Sequence, residues 1–128
     1  MAGRPCAMRK VAPLPAYHDA VLDEFRALSR PCVAGAEFLL EELESADPDP
    51  DERCGLLEDR YEIYTLAIPG CRGTALALAL DTARRPPWPC LLLGLMSRRG
   101  DLCEAARRRA TQHLSLIDPS WEPAHGKD

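Results

Sequence analysis

CLLLGLMSRRGDLCEAARRRATQHL, residues Cys90 to Leu114, decides the fold, because it changes period in the middle. Leu91 to Met96 is an apolar run of strand length, too short for a helix of its own. Ser97-Arg98-Arg99-Gly100 is a tight polar break. Asp101 then stands where an N-cap belongs, with Glu104 three residues on, the spacing of a capping box. Leu102, Ala105, Ala106, Ala110 and His113 or Leu114 recur at helical spacing, while Arg107, Arg108 and Arg109 sweep the remaining faces. The stretch reads as strand, arginine-bearing turn and basic amphipathic helix.

Upstream, Val21, Leu22, Phe25 and Leu28 mark a first amphipathic helix beginning near Tyr17. Ser29-Arg30-Pro31 breaks it, and Ala36, Leu39, Leu40 and Leu43 define a second helix ending near Ser45, with Glu37, Glu41, Glu42 and Glu44 outside. The short break predicts a helical hairpin. Asp47-Pro48-Asp49-Pro50-Asp51-Glu52 is a loop with no apolar residue; its Gly and Glu positions do not fit a calcium-binding EF-hand, so a solvated connection is expected. The period then changes to two. Tyr61 to Ile68 is rich in β-formers, Pro69-Gly70-Cys71-Arg72-Gly73 turns the chain, and Thr74 to Asp81 alternates Ala and Leu as a strand burying Leu76, Leu78 and Leu80. Arg84 to Pro89 is a proline-rich connector. Met8 to Leu14 is a further candidate strand at a sheet edge.

The expectation is a single α+β domain: a helical hairpin packed on a small antiparallel sheet, followed by a C-terminal helix. Residues 17–114 form the expected core, with 1–13 and 115–128 as flexible ends. The 46% hydrophobic content fits a folded chain, and with two Phe, two Trp and three Tyr its core is mainly aliphatic. No apolar run approaches membrane-spanning length, which predicts a cytoplasmic protein without a membrane partner. The six cysteines are widely and irregularly spaced, with no Cys-x-x-Cys, so reduced thiols and no metal or cofactor are expected. The net charge of −4 argues against a general nucleic-acid binder. Its distribution qualifies that: acidic residues outnumber basic ones two to one before Ile63, and the balance reverses afterwards.

The layout resembles the RelE/ParE/HigB superfamily of type II toxin–antitoxin toxins. Leu56-Leu57-Glu58-Asp59-Arg60-Tyr61-Glu62-Ile63 is similar to that family's approach to its sheet, and Leu91 to Arg99 to its strand ending in paired basic residues. The chain departs from the pattern in its acidic charge, in having Gly73-Thr74-Ala75 where a basic strand residue is usual, and in lacking strand histidines. The resemblance implies a metal-independent, ribosome-associated endoribonuclease acting on mRNA, inhibited by a cognate antitoxin protein. Arg60, Arg98 and Arg99 would stabilise phosphate charge, Tyr64 (or Tyr61) would stack a base or transfer a proton, and Arg72, Arg107 and Arg108 would bind RNA. Tyr61 and Tyr64 fall on opposite faces of a strand, so at most one can serve a site. A ParE-like topoisomerase poison and a non-catalytic interaction module with the same fold are the alternatives.

Overall fold

The computed structural model describes residues 16–45, 52–83 and 90–121. The candidate strand Met8–Leu14, most of the acidic loop and the connector Arg84–Pro89 lie outside them. Two helices, α1 (Asp19–Arg26) and α2 (Arg30–Ser45), precede four strands, β1 (Glu52–Leu57), β2 (Tyr61–Ile68), β3 (Cys71–Asp81) and β4 (Cys90–Ser97), and α3 (Leu102–Ile117) follows. The strands form one antiparallel meander in the order β1-β2-β3-β4. The class is α+β, as the periodicities predict.

The Ala/Leu alternation sorts β3 between two cores. Leu76 and Leu78 face α1 and α2, where they join Val21, Phe25, Leu39, Tyr64, Leu66 and Leu92. Ala75, Ala77 and Ala79 face α3 and pack with Ala106, Ala110, Ile63 and Leu114. Small residues on both sides let the helix lie close to the strands, whereas the opposite face is filled by bulky aliphatics. Burial of each large aliphatic side chain contributes about 1.5–3 kcal/mol.

Three local features set these layers. His18 caps α1 by accepting the Ala20 N–H at Nδ1. Asp101 caps α3 by accepting the Glu104 N–H at 3.1 Å, the half of the expected capping box that closes. Gly35 lies so close to the β2–β3 turn that a Cβ would stand 1.9 Å from the Pro69 carbonyl oxygen. Only glycine lets α2 meet that turn.

Two expectations need correction. Residues 115–121 are not a loose tail: α3 continues to Ile117, and Asp118 and Trp121 are buried, Trp121 edge-on to Tyr61. The cysteines are not all reduced, because Cys32 is bonded to Cys71 and Cys54 to Cys103. One bridge fastens α2 to β3 and the other fastens α3 to β1, so each face of the sheet has a covalent tie to a helix. Cys90 remains a free thiol beneath the helical hairpin, and burial pushes its pKa up to about 11, although the Tyr64 hydroxyl beside it acts in the opposite sense. No helix among the described residues is long and apolar enough to cross a membrane.

The β1–β2 hairpin turns through Glu58 and Asp59, both with positive φ (54° and 58°), and closes with the Arg60 N–H donating to the Leu57 carbonyl. This is the backbone of a type I′ turn, for which Asn-Gly is preferred. Left-handed backbone costs an ordinary L-residue roughly 1–2 kcal/mol. Replacing the pair by Glu58→Asn and Asp59→Gly is expected to stabilise the protein by about 1 kcal/mol and raise the melting temperature by roughly 3 °C. A thermal melt in which the double variant is unchanged or less stable would contradict the turn assignment.

Candidate nucleic-acid interface

The arginines divide into those spent on the fold and those left for a ligand. Arg60 belongs to the first group. Its Nε and one terminal nitrogen bind both oxygens of Asp81 at 3.1 and 3.0 Å, and the same terminal nitrogen reaches Asp118 at 2.9 Å. The Tyr61 hydroxyl donates to the same Asp118 oxygen, and the Ser120 N–H and hydroxyl both donate to the other. The guanidinium also lies over the Tyr61 ring, 4.8 Å from its centre. Asp81 is 1% exposed and Arg60 24%, so a phosphate there would have to displace two carboxylates. Burial by itself would raise the pKa of Asp118, but hydrogen bonds from Ser120 and Tyr61 and the Arg60 charge outweigh it and hold the group below its ordinary value. Burial, followed by the hydrogen bond to Asp118, pushes the Tyr61 hydroxyl strongly upward.

Tyr64 is not available to a base. It is 2% exposed, packed under α1 and α2 with its hydroxyl beside Cys90, and burial drives its pKa far above the ordinary tyrosine range. As the period-two reading requires, Tyr61 and Tyr64 occupy opposite cores.

Arg107 and Arg109 seal the two margins of the sheet. Arg107 donates to the carbonyls of Cys54 and Leu56 on β1 at 3.1 and 3.2 Å. On β4, Arg109 donates to the Leu95 carbonyl at 2.5 Å and to Glu24 of α1 at 2.6 Å, and Glu24 in turn accepts the Leu95 N–H at 2.9 Å. His113 Nδ1 meets the Leu93 carbonyl at 2.5 Å, while the Ala16 backbone exchanges hydrogen bonds with Cys90 and Leu92. Helices from opposite faces thus close one strand margin with side chains, which removes an open edge that would otherwise template pairing. A bulge at Gly94 (φ 135°) makes room, since a Cβ there would stand 2.7 Å from a Glu24 carboxylate oxygen.

The second group is gathered at one end of the sheet. Arg98 and Arg99 are exposed on the connection from β4 to α3, and Arg72 is exposed on β3. The Arg98 N–H donates to the Gly73 carbonyl, so the backbones bearing Arg72 and Arg98 are neighbours. The Arg99 N–H donates to the Ser97 hydroxyl, fixing the turn. Arg108 is exposed on α3, and its ion pair with Glu104 at 3.5 Å is itself exposed and weak. A recess of about 250 Å³ opens here, lined by Met96, Ser97, Arg99, Ala105, Arg108, Arg109 and Gln112.

Of the residues singled out in the sequence, Arg72, Arg98, Arg99 and Arg108 therefore remain exposed near this end, while Arg60, Tyr64 and Arg107 are engaged elsewhere. Sequence reasoning missed Gln112 and Ser97 on the recess, and the structural roles of Glu24, Arg109 and His113. The i, i+3, i+4, i+7 spacing of Ala105, Arg108, Arg109 and Gln112 was the available signal, a polar stripe with one small residue. No family model, curated protein or solved structure matches the chain.

Proposed function

We propose that the protein is a non-catalytic interaction module with this α+β fold, and that its basic end engages the phosphate backbone of single-stranded RNA through Arg72, Arg98 and Arg99. The observation that carries this reading is the division of the arginines. Three exposed arginines stand on neighbouring backbone at one end of the β3–β4 ladder and its turn, while Arg60 and Tyr64, which the toxin resemblance would use for cleavage, are engaged by Asp81 and Asp118 and by the core. Planar guanidinium forks suit phosphate oxygens and keep their charge at any physiological pH. Cytoplasmic residence belongs to the same proposal, since RNA is met there.

A cation set without a proton-transfer group binds a phosphodiester but does not activate a 2′-hydroxyl. Binding without cleavage is therefore expected. With three phosphate contacts, log affinity for single-stranded RNA should fall with log salt at a slope of about −2. Arg98→Ala/Arg99→Ala should weaken binding roughly tenfold or more and flatten that slope. Its folding should change by no more than about half a kcal/mol, as for exposed turn charges. Fluorescence anisotropy across a salt series, with circular dichroism on the same samples, measures both. Unchanged RNA affinity in a folded double variant would put the site elsewhere.

The toxin-like endoribonuclease is the second reading, favoured by the exposed Arg98–Arg99 pair directly after the most apolar strand. It predicts RNA cleavage products and growth arrest relieved by a co-expressed antitoxin. The topoisomerase-poison variant predicts DNA damage signalling with intact mRNA. Cleavage products in the binding assay would replace the module reading with the first of these.

A further inference from the structure

We infer that the recess between the end of β4 and α3 seats a terminal phosphate monoester of the bound RNA. The inference rests on the RNA-binding reading and adds the part of the ligand that the protein selects. Arg99 enters from the turn, Arg108 and Gln112 from successive turns of α3, and Ser97 from the strand end. Arg109 also lines the recess, its guanidinium held by Glu24 and the Leu95 carbonyl. Among the described residues no carboxylate lines the space, and Glu104 reaches Arg108 through an exposed contact that an incoming anion can replace.

The donors decide the ligand. Arg99 and Arg108 each present a five-donor fork, the Gln112 amide adds two N–H groups and Ser97 a hydroxyl, all without an acidic competitor on the lining. An internal phosphodiester offers one charge and two free oxygens, with chain leaving on both sides. A terminal monoester offers three free oxygens and a charge of about −1.5 to −2 at neutral pH, and it enters a concave space end-on. The two cations not fixed by the fold, Arg99 and Arg108, match that charge. The RNA chain then leaves over Arg98 and Arg72, where only backbone contacts are needed.

The test compares one short single-stranded RNA bearing a 5′-phosphate, a 3′-phosphate or hydroxyls at both ends, by anisotropy at fixed salt. Binding of one phosphorylated form about tenfold tighter than the hydroxyl form is expected, the effect of one or two charge-assisted hydrogen bonds. Arg108→Ala and, separately, Gln112→Ala should erase the preference while leaving the hydroxyl RNA bound. Both positions are exposed, so both variants should fold, and circular dichroism checks this. Arg108→Lys should restore only part of the preference, because a point charge lacks the fork. Equal affinity for all three RNAs overturns the monoester seat and leaves RNA binding standing. Failure of all three to bind overturns the RNA reading and this inference with it. A preference that survives Arg108→Ala and Gln112→Ala in folded proteins also overturns the assignment to this recess.

Discussion

Reducing both disulfides is expected to remove most of the net stability of the fold. Cys32–Cys71 closes a segment of 39 residues and Cys54–Cys103 one of 49. By the chain-entropy account, loops of those lengths contribute about 4 kcal/mol each by restricting the unfolded chain. A single domain is stable by only about 5–15 kcal/mol in total. The two loops overlap between Cys54 and Cys71, so the second bridge adds less than the first. In urea, the reduced protein should unfold at a much lower midpoint. Its m-value should rise, because an unfolded chain without cross-links exposes more surface. Paired Cys→Ala variants at each bridge should show intermediate midpoints. An oxidised and a reduced sample with the same midpoint would mean that the bridges do not hold the protein in solution. In a reducing cytoplasm, where such bonds are rare, the same dependence would couple the packing of both helical layers to redox poise.

Breaking the buried charge cluster should come second. Arg60→Ala removes the guanidinium that Asp81 and Asp118 share, and removing one partner of a buried pair costs roughly 3–5 kcal/mol. Because Arg60 is 24% exposed, solvent screens part of the loss and the lower end of that range is expected. Asp118 also predicts a pH dependence. Its folded pKa is depressed below the ordinary 3.8, so below that value the unfolded chain takes up its proton first. The contribution is therefore fully present at neutral pH and is lost as pH falls through the depressed folded value. Asp118→Asn should lower stability at pH 7 and flatten the acid limb of a stability-versus-pH curve recorded by urea titration. An acid limb as steep as that of the parent would place the titration on other carboxylates.

The fold was legible where local pattern and tertiary role agree. The Ala/Leu alternation of Thr74–Asp81, the apolar run before Ser97, the cap at Asp101 and the two amphipathic helices all follow from side-chain period, which packing then uses directly. β1 was not legible. Arg53-Cys54-Gly55-Leu56-Leu57 has no alternation, carries a glycine with φ 85° at a register shift, and borders solvent at the sheet margin. The arginines were harder still, because their partners are remote in the chain. Glu24 lies 85 residues from Arg109 and Asp118 lies 58 from Arg60. No periodicity encodes such pairings. Asp81 and Asp118 look like ordinary strand-end and helix-end acids until the fold brings them to one guanidinium. The site was legible in part: Arg98 and Arg99 stand out as a pair, whereas the recess exists only because α3 lies beside the end of β4.

Much of the seal on the two sheet margins comes from Arg107, Arg109 and His113, downstream of every strand. During synthesis, then, the meander is made before α3 can cover its sides. At about 5–20 residues per second, the interval between Ser97 and His113 is on the order of one to three seconds. Throughout it β1 lacks the Arg107 donor and β4 lacks Arg109 and His113, although Ala16 and Glu24 already reach β4. The last helix is therefore also the step that completes the cover of both margins, and the chance of intermolecular strand pairing depends on how quickly that helix arrives.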